Sequence, residues 1–190
     1  MYKLIAITDR KLCDTDYIER VREIADNGIE VILREKNVHR LDYGALLDRI
    51  GTHNIIPHSF YEEAQKRGCA RIHMPLFVFE RHPDLAETMQ VSVSVHSLAQ
   101  LQRAVELGAC AVVAGHVFDT NCKAGLPGRG LDFIREISAA SPVPVYGIGG
   151  ITPDNAQSVI DAGADGVCVM SGFMECADVK EFISRFNHLK

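Results

Sequence analysis

Short apolar runs alternate with segments of helical periodicity along the whole chain. Residues 3–8, 30–35, 54–59, 70–75, 90–97, 109–117, 143–150 and 166–172 read as strands, the fifth with clean apolar–polar alternation in "QVSVSVHS". Between them lie helix patterns. In residues 16–28, Ile18, Val21, Ile24 and Ala25 share one face and Gly28 supplies a stop. Further helices are predicted over 42–51, 60–68, 98–108 and 131–140, with at most a short helix within 76–87. Pro153, at a favoured first-turn position, opens one that runs to Ala162, and residues 174–189 close the chain as a single helix.

Eight strand–helix pairs with crossovers of this length predict parallel strands and right-handed connections. The expected fold is α/β, a (β/α)8 TIM barrel filling residues 1–190 as one domain. A doubly wound open sheet is the alternative. In a barrel, the chemistry gathers at the C-terminal strand ends. There the sequence places Thr8-Asp9-Arg10, Arg34-Glu35-Lys36, His58-Ser59, His73, Ser94 and His96, Gly115-His116, Gly149-Gly150, and Ser171-Gly172.

Two of these ends carry glycine signals that lead into helices. Gly149 and Gly150 follow the seventh strand, and Ser171 and Gly172 the eighth. Glycine admits close approach of a phosphate, helix N-termini point N–H groups at it, and barrels often hold phosphate at these two loops. Taken alone, either signal is also a tight strand-to-helix turn. Arg34 and Lys36 fall on one side of their strand and suit a phosphate or carboxylate, or else form a solvated rim. His116 has three readings: a structural histidine, a metal ligand or an acid–base group. No H-x-H or H-E-x-x-H spacing supports a metal. An imidazole is well suited to proton transfer near neutral pH.

Composition narrows the partners. With 47% hydrophobic and 24% charged residues and a net charge of -5, the 190-residue chain matches ordinary soluble domains, with no basic stripe for nucleic acid. No apolar stretch is long enough for a membrane span, and the N-terminus lacks the features of a secretory signal, so a cytoplasmic location is expected. The six cysteines form no C-x-x-C pair and read as thiols, with Cys122 set apart by its place in a Gly-rich loop.

The segments "LREK", "SVSVHS", "GHVFDTNCKAGLPGRG" and "GIGGITPDNAQSVIDAGADGVCVMSG", in this order, resemble the thiamine phosphate synthase / TenI superfamily. The resemblance covers nearly the whole chain and is most specific from Ser92 to Gly172. It implies two activities. The synthase branch joins a pyrimidine diphosphate to a thiazole phosphate with Mg²⁺, and carries an Asn-Asp pair after strand three and an acidic metal ligand after strand four. Here those stretches read Pro57-His58-Ser59 and His73-Met74-Pro75-Leu76-Phe77-Val78, without acids. The TenI branch, the thiazole tautomerases, is similar in its "GHVF-T-CK-GL-GRG" segment and uses the histidine of that motif for proton transfer, which falls on His116.

The resemblance therefore implies a thiazole tautomerase of thiamine biosynthesis, an isomerase needing no cofactor and no metal. Its partner is a small-molecule thiazole phosphate carboxylate whose ring becomes aromatic when one proton moves. On this reading His116 transfers the proton, and Gly149, Gly150, Ser171 and Gly172 hold the phosphate. Arg34 or Lys36 meets the carboxylate or developing charge, Ser94 and His96 line the pocket, and Lys123 covers it from a flap over 118–130. The alternatives are a synthase with relocated metal ligands, Asp9 and Glu35 being the nearest acids, and a non-catalytic regulatory paralogue. The resemblance also implies a homodimer, for which the outer helix faces leave room.

Overall fold

The computed structural model describes residues 2–120 and 125–189. Its strands are β1 Lys3–Ile7, β2 Glu30–Leu33, β3 Ile55–Pro57, β4 Arg71–Pro75, β5 Gln90–Val95, β6 Ala111–Gly115, β7 Val145–Ile148 and β8 Gly166–Val169. The helices are α1 Tyr17–Asp26, α2 Arg40–Ile50, α3 Tyr61–Lys66, α4 Leu76–Phe79, α5 Leu85–Thr88, α6 Leu98–Glu106, α7 Gly130–Ala140, α8 Ala156–Asp161, α9 Ser171–Glu175 and α10 Val179–Ser184.

The strands form one sheet in the order β3-β2-β1-β8-β7-β6-β5-β4. First and last strands pair in parallel, with Ile5 opposite Cys168, which an open doubly wound sheet does not do. At the remaining seam, a parallel bridge joins His58 to His73, and the Ser59 N–H donates to the His73 carbonyl at 3.0 Å. The chain is a nearly closed (β/α)8 barrel whose seam is fastened at the C-terminal rim.

Period-two alternation divides the core into two layers. Ile5, Ile7, Ile32, Ile56, Val113 and Cys168 point inward and fill the barrel. Their neighbours Ala6, Val31, Leu33, Val112, Ala114 and Val167 point outward and pack beneath the helices. Helix α1 shows how the outer layer is held. It buries Tyr17, Ile18, Val21, Ile24 and Ala25, and Asp16 caps its first turn by accepting from the Ile18 and Glu19 N–H groups. Such a cap is worth about 1 kcal/mol, and each fully buried aliphatic side chain about 1.5–3 kcal/mol.

Two predicted elements differ. The expected closing helix over 174–189 is instead α9 and α10, because Asp178 turns its carboxylate back to the Glu181 N–H at 2.8 Å and starts a new helix. The helix expected from Pro153 begins at Ala156. The preceding turn is tied by Asn155, which accepts from the Thr152 N–H and donates to the Gly150 carbonyl. Within 76–87 only the short α4 and the start of α5 form. No helix of the described residues is long and apolar enough to cross a membrane.

Candidate active site

A cavity of about 400 Å³ opens at the C-terminal mouth and draws lining residues from all eight strand ends. Its apolar floor is the inner layer, with Ile7, Ile32, Val113, Ile148 and Cys168. Polar groups stand above it. Arg34, Lys36, Ser94, His96, His116, Gly149, Gly150 and Ser171, all named from sequence, line it together. Gly172 does not line it. A Cβ there would strike the Phe182 ring, so this glycine has a packing cause, the approach of α10 to α9. Lys123 lies outside the described residues, as does Cys122.

Each polar side chain is positioned by local backbone chemistry. Alternation after β2 turns Arg34 and Lys36 inward with Ile32 and leaves Glu35 outside the lining. Buried Thr8 pins this strand end, accepting from the Arg34 N–H at 2.8 Å and donating to the Arg34 carbonyl at 3.3 Å. Glu35 is itself buried, with Oε2 3.7 Å from Arg10 Nε, and Arg10 lies over the Tyr17 ring. That acid serves the loop after β1.

His116 follows β6 through a cis peptide bond. Backbone bonds surround it. Val117 N–H donates to the Ile148 carbonyl, Phe118 N–H to the Gly149 carbonyl, and Arg129 N–H to the His116 carbonyl. Its ring Nε2 lies 3.2 Å from the Leu126 carbonyl, an acceptor, so Nε2 donates. Gly149 and Gly150 make this packing possible. Both have positive φ, a Cβ on Gly149 would strike His116, and one on Gly150 would come 2.5 Å from the Asp119 carbonyl oxygen. The "GIGG" signal thus has a packing cause beside any ligand role.

His96 Nδ1 lies 2.7 Å from the Gly115 carbonyl, and the His96 N–H donates to Gln100 Oε1 at 2.7 Å. On the adjoining strand ends, β3 and β4, stand two histidines whose part the sequence did not reveal. His73 is fully enclosed, with Nδ1 2.9 Å from Ser92 Oγ and Nε2 2.8 Å from Ser94 Oγ. Its ring is 5.6 Å from that of His58, whose Nδ1 meets Ser59 Oγ. The His58 N–H donates to Tyr43 Oη, which donates to the Leu33 carbonyl. Burial, then the positive charge of Arg34 and Lys36, pushes the His58 imidazole down to about 4. Burial, with His58 and Arg34 nearby, holds His73 well below the ordinary histidine range. Both are neutral at pH 7. The available sequence signal was their inward register at the ends of β3 and β4.

The donor set does not fit Mg²⁺. A hard cation of this kind needs carboxylate oxygens. Asp9 is the one carboxylate among the described lining residues, and its Oδ1 already accepts from the Lys11 N–H. Neutral imidazoles occupy the ends of β3 and β4, and Arg34 and Lys36 add positive charge. What the pocket offers is an anion cradle, four imidazoles along its wall and an apolar floor for a flat heterocycle.

The family described as thiamine monophosphate synthase, TMP-TENI, matches residues 63–173. A thiamine-phosphate synthase of Clostridium acetobutylicum is 31% identical over 193 residues, covering 95% of this chain and 90% of the relative. That of Pyrococcus furiosus is 31% identical over 197 residues, covering 94% and 90%. The solved structure of a thiamine phosphate pyrophosphorylase from Pyrococcus furiosus has a TM-score of 0.80 at 27% identity and covers 99% of this chain and 95% of its own. On these matches, the chain belongs to the thiamine monophosphate synthase family.

Proposed function

We propose that the pocket isomerises a phosphorylated, carboxylated thiazole tautomer to its aromatic form by proton transfer at His116. The observation that carries this reading is the pairing of an anion cradle with acid–base imidazoles in a pocket whose donor set is wrong for Mg²⁺. Gly149, Gly150 and Ser171 hold the phosphate, and Arg34 and Lys36 face the carboxylate. The apolar floor receives the ring. With both anions anchored, the carbon that loses its proton is held against an imidazole, which converts binding into orientation. A positioned acid–base group of this kind contributes about 10²–10⁴-fold. No redox step is needed, because the reaction moves a proton and a π-system and leaves the oxidation level unchanged.

The second reading is a synthase that joins a pyrimidine diphosphate to a thiazole phosphate, favoured by the names of the relatives. One experiment separates the two. The protein is incubated with the non-aromatic thiazole phosphate carboxylate, and aromatisation is followed by ultraviolet absorbance, with His116→Ala alongside. A parallel reaction contains pyrimidine diphosphate, aromatic thiazole phosphate and Mg²⁺. Acceleration in the first, lost in His116→Ala, supports the isomerase. Product only in the second replaces it with the synthase.

A further inference from the structure

We infer that His96 is a second proton-transfer group, working beside His116 from the neighbouring strand end; this rests on the isomerase reading above. Strands β5 and β6 pair with Val95 opposite Ala114, so the next step sets His96 beside Gly115, the residue that precedes His116. His96 Nδ1 lies 2.7 Å from the Gly115 carbonyl oxygen. A carbonyl only accepts, so Nδ1 carries a hydrogen and Nε2 is the nitrogen that gains or loses a proton. The Nδ1 bond survives in both protonation states, so the ring need not turn during a cycle. His116 is fixed in the complementary sense. Its Nε2 donates to the Leu126 carbonyl, which leaves Nδ1 for exchange. Both residues line the one cavity.

The chemistry calls for two groups. Aromatisation breaks a C–H bond at the ring carbon that bears the carboxylate and makes one at the exocyclic carbon. The electron pair left at the first carbon passes through the ring to the exocyclic double bond. These carbons lie at different edges of the heterocycle, and a ring pinned by a backbone carbonyl cannot swing from one to the other. One imidazole therefore takes the proton while the other, as imidazolium, gives one. Exchange with water resets both, and no net proton is consumed.

His96→Asn tests this, because its side-chain N–H stands in for Nδ1–H toward the Gly115 carbonyl but offers no titrating nitrogen. The expected result is a kcat lower by about 10²–10⁴-fold with KM and inorganic phosphate binding unchanged. In D₂O the unaltered protein should place a solvent deuteron on the exocyclic carbon, and ¹⁵N correlation spectra of the ligand-free protein should show His96 protonated at Nδ1. Full kcat in His96→Asn, an Nε2–H tautomer in neutral His96, or complete retention of the substrate-derived proton each overturns the assignment while leaving the isomerase reading intact. No turnover by the unaltered protein removes both.

Discussion

The Ser94 hydroxyl donates to His73 Nε2 at 2.8 Å, and the direction of that bond is set on the far side of the ring. Ser92 Oγ donates to the Ile72 carbonyl, which can only accept. Ser92 Oγ therefore accepts from His73 Nδ1–H at 2.9 Å. A neutral imidazole protonated at Nδ1 has its lone pair at Nε2, and that nitrogen takes the only hydrogen of Ser94. Ser94 thus faces the cavity as an acceptor, and the ligand group it meets must be a donor.

Ser94→Ala should leave His73 Nε2 a buried acceptor without its partner. The expected loss of stability is about 1–3 kcal/mol, read as a lower urea midpoint with unchanged slope. If the midpoint does not move, the bond is not formed in solution. Ligands with an N–H or O–H opposite Ser94 should also lose more affinity than ligands lacking one.

Gly149→Ala should damage catalysis out of proportion to backbone strain. The residue has φ +105, and an added Cβ would strike His116. Gly28→Ala is the control, since Gly28 has φ +81 with open space around it. Both variants should lose about 1 kcal/mol or more from the left-handed conformation alone. Only Gly149→Ala should displace His116 and reduce kcat at least about 10-fold, as expected for misplacing an acid–base group. Equal kcat in the two variants would remove His116 from the reaction or show that it adapts.

The barrel was legible because period-two strands and intervening helices force parallel crossovers, and the pairing of β1 with β8 follows from eight such units. The rim was legible for the same reason: alternation from Ile32 inward fixes Arg34 and Lys36 inside, and from Ser92 inward fixes Ser94 and His96. Gly172 is ambiguous in sequence, because a glycine needed for helix packing against Phe182 looks like one needed for an anion. The break between α9 and α10 was missed because the apolar spacing continues across it while Asp178 supplies a competing local cap. His58 and His73 carried no motif. Their neutrality comes from burial and nearby cations, which a single sequence does not display.

Metal addition and removal should be without effect on the proposed isomerisation. Among the described residues, the rim has one lining carboxylate beside two cationic side chains, a poor oxygen set for Mg²⁺. Millimolar Mg²⁺ and millimolar chelator are expected to leave both melting temperature and the aromatisation rate unchanged. A rate that falls with chelator and returns with Mg²⁺ would contradict the donor-set argument and favour the synthase reading.

Acid should destabilise the fold through the two enclosed histidines. His58 has an ordinary value of 6.5 and is lowered to about 4 in the folded protein, chiefly by burial. Between these values the unfolded chain takes up a proton that the native protein refuses, so stability falls as pH falls through this window and is fully present above it. His73 acts in the same direction. Each such site contributes a slope of up to about 1.4 kcal/mol per pH unit, and His58 about 3 kcal/mol over its window. Urea unfolding between pH 7.5 and pH 4.5 measures this. His58→Asn should flatten the curve, because its amide does not titrate, while the His73 contribution persists. The variant starts less stable at pH 7.5 if the imidazole packing is lost, so the test is the slope and not the midpoint. An unchanged slope would mean that His58 protonates in the native state as readily as in the unfolded chain, and the neutral wall beside His96 would not exist.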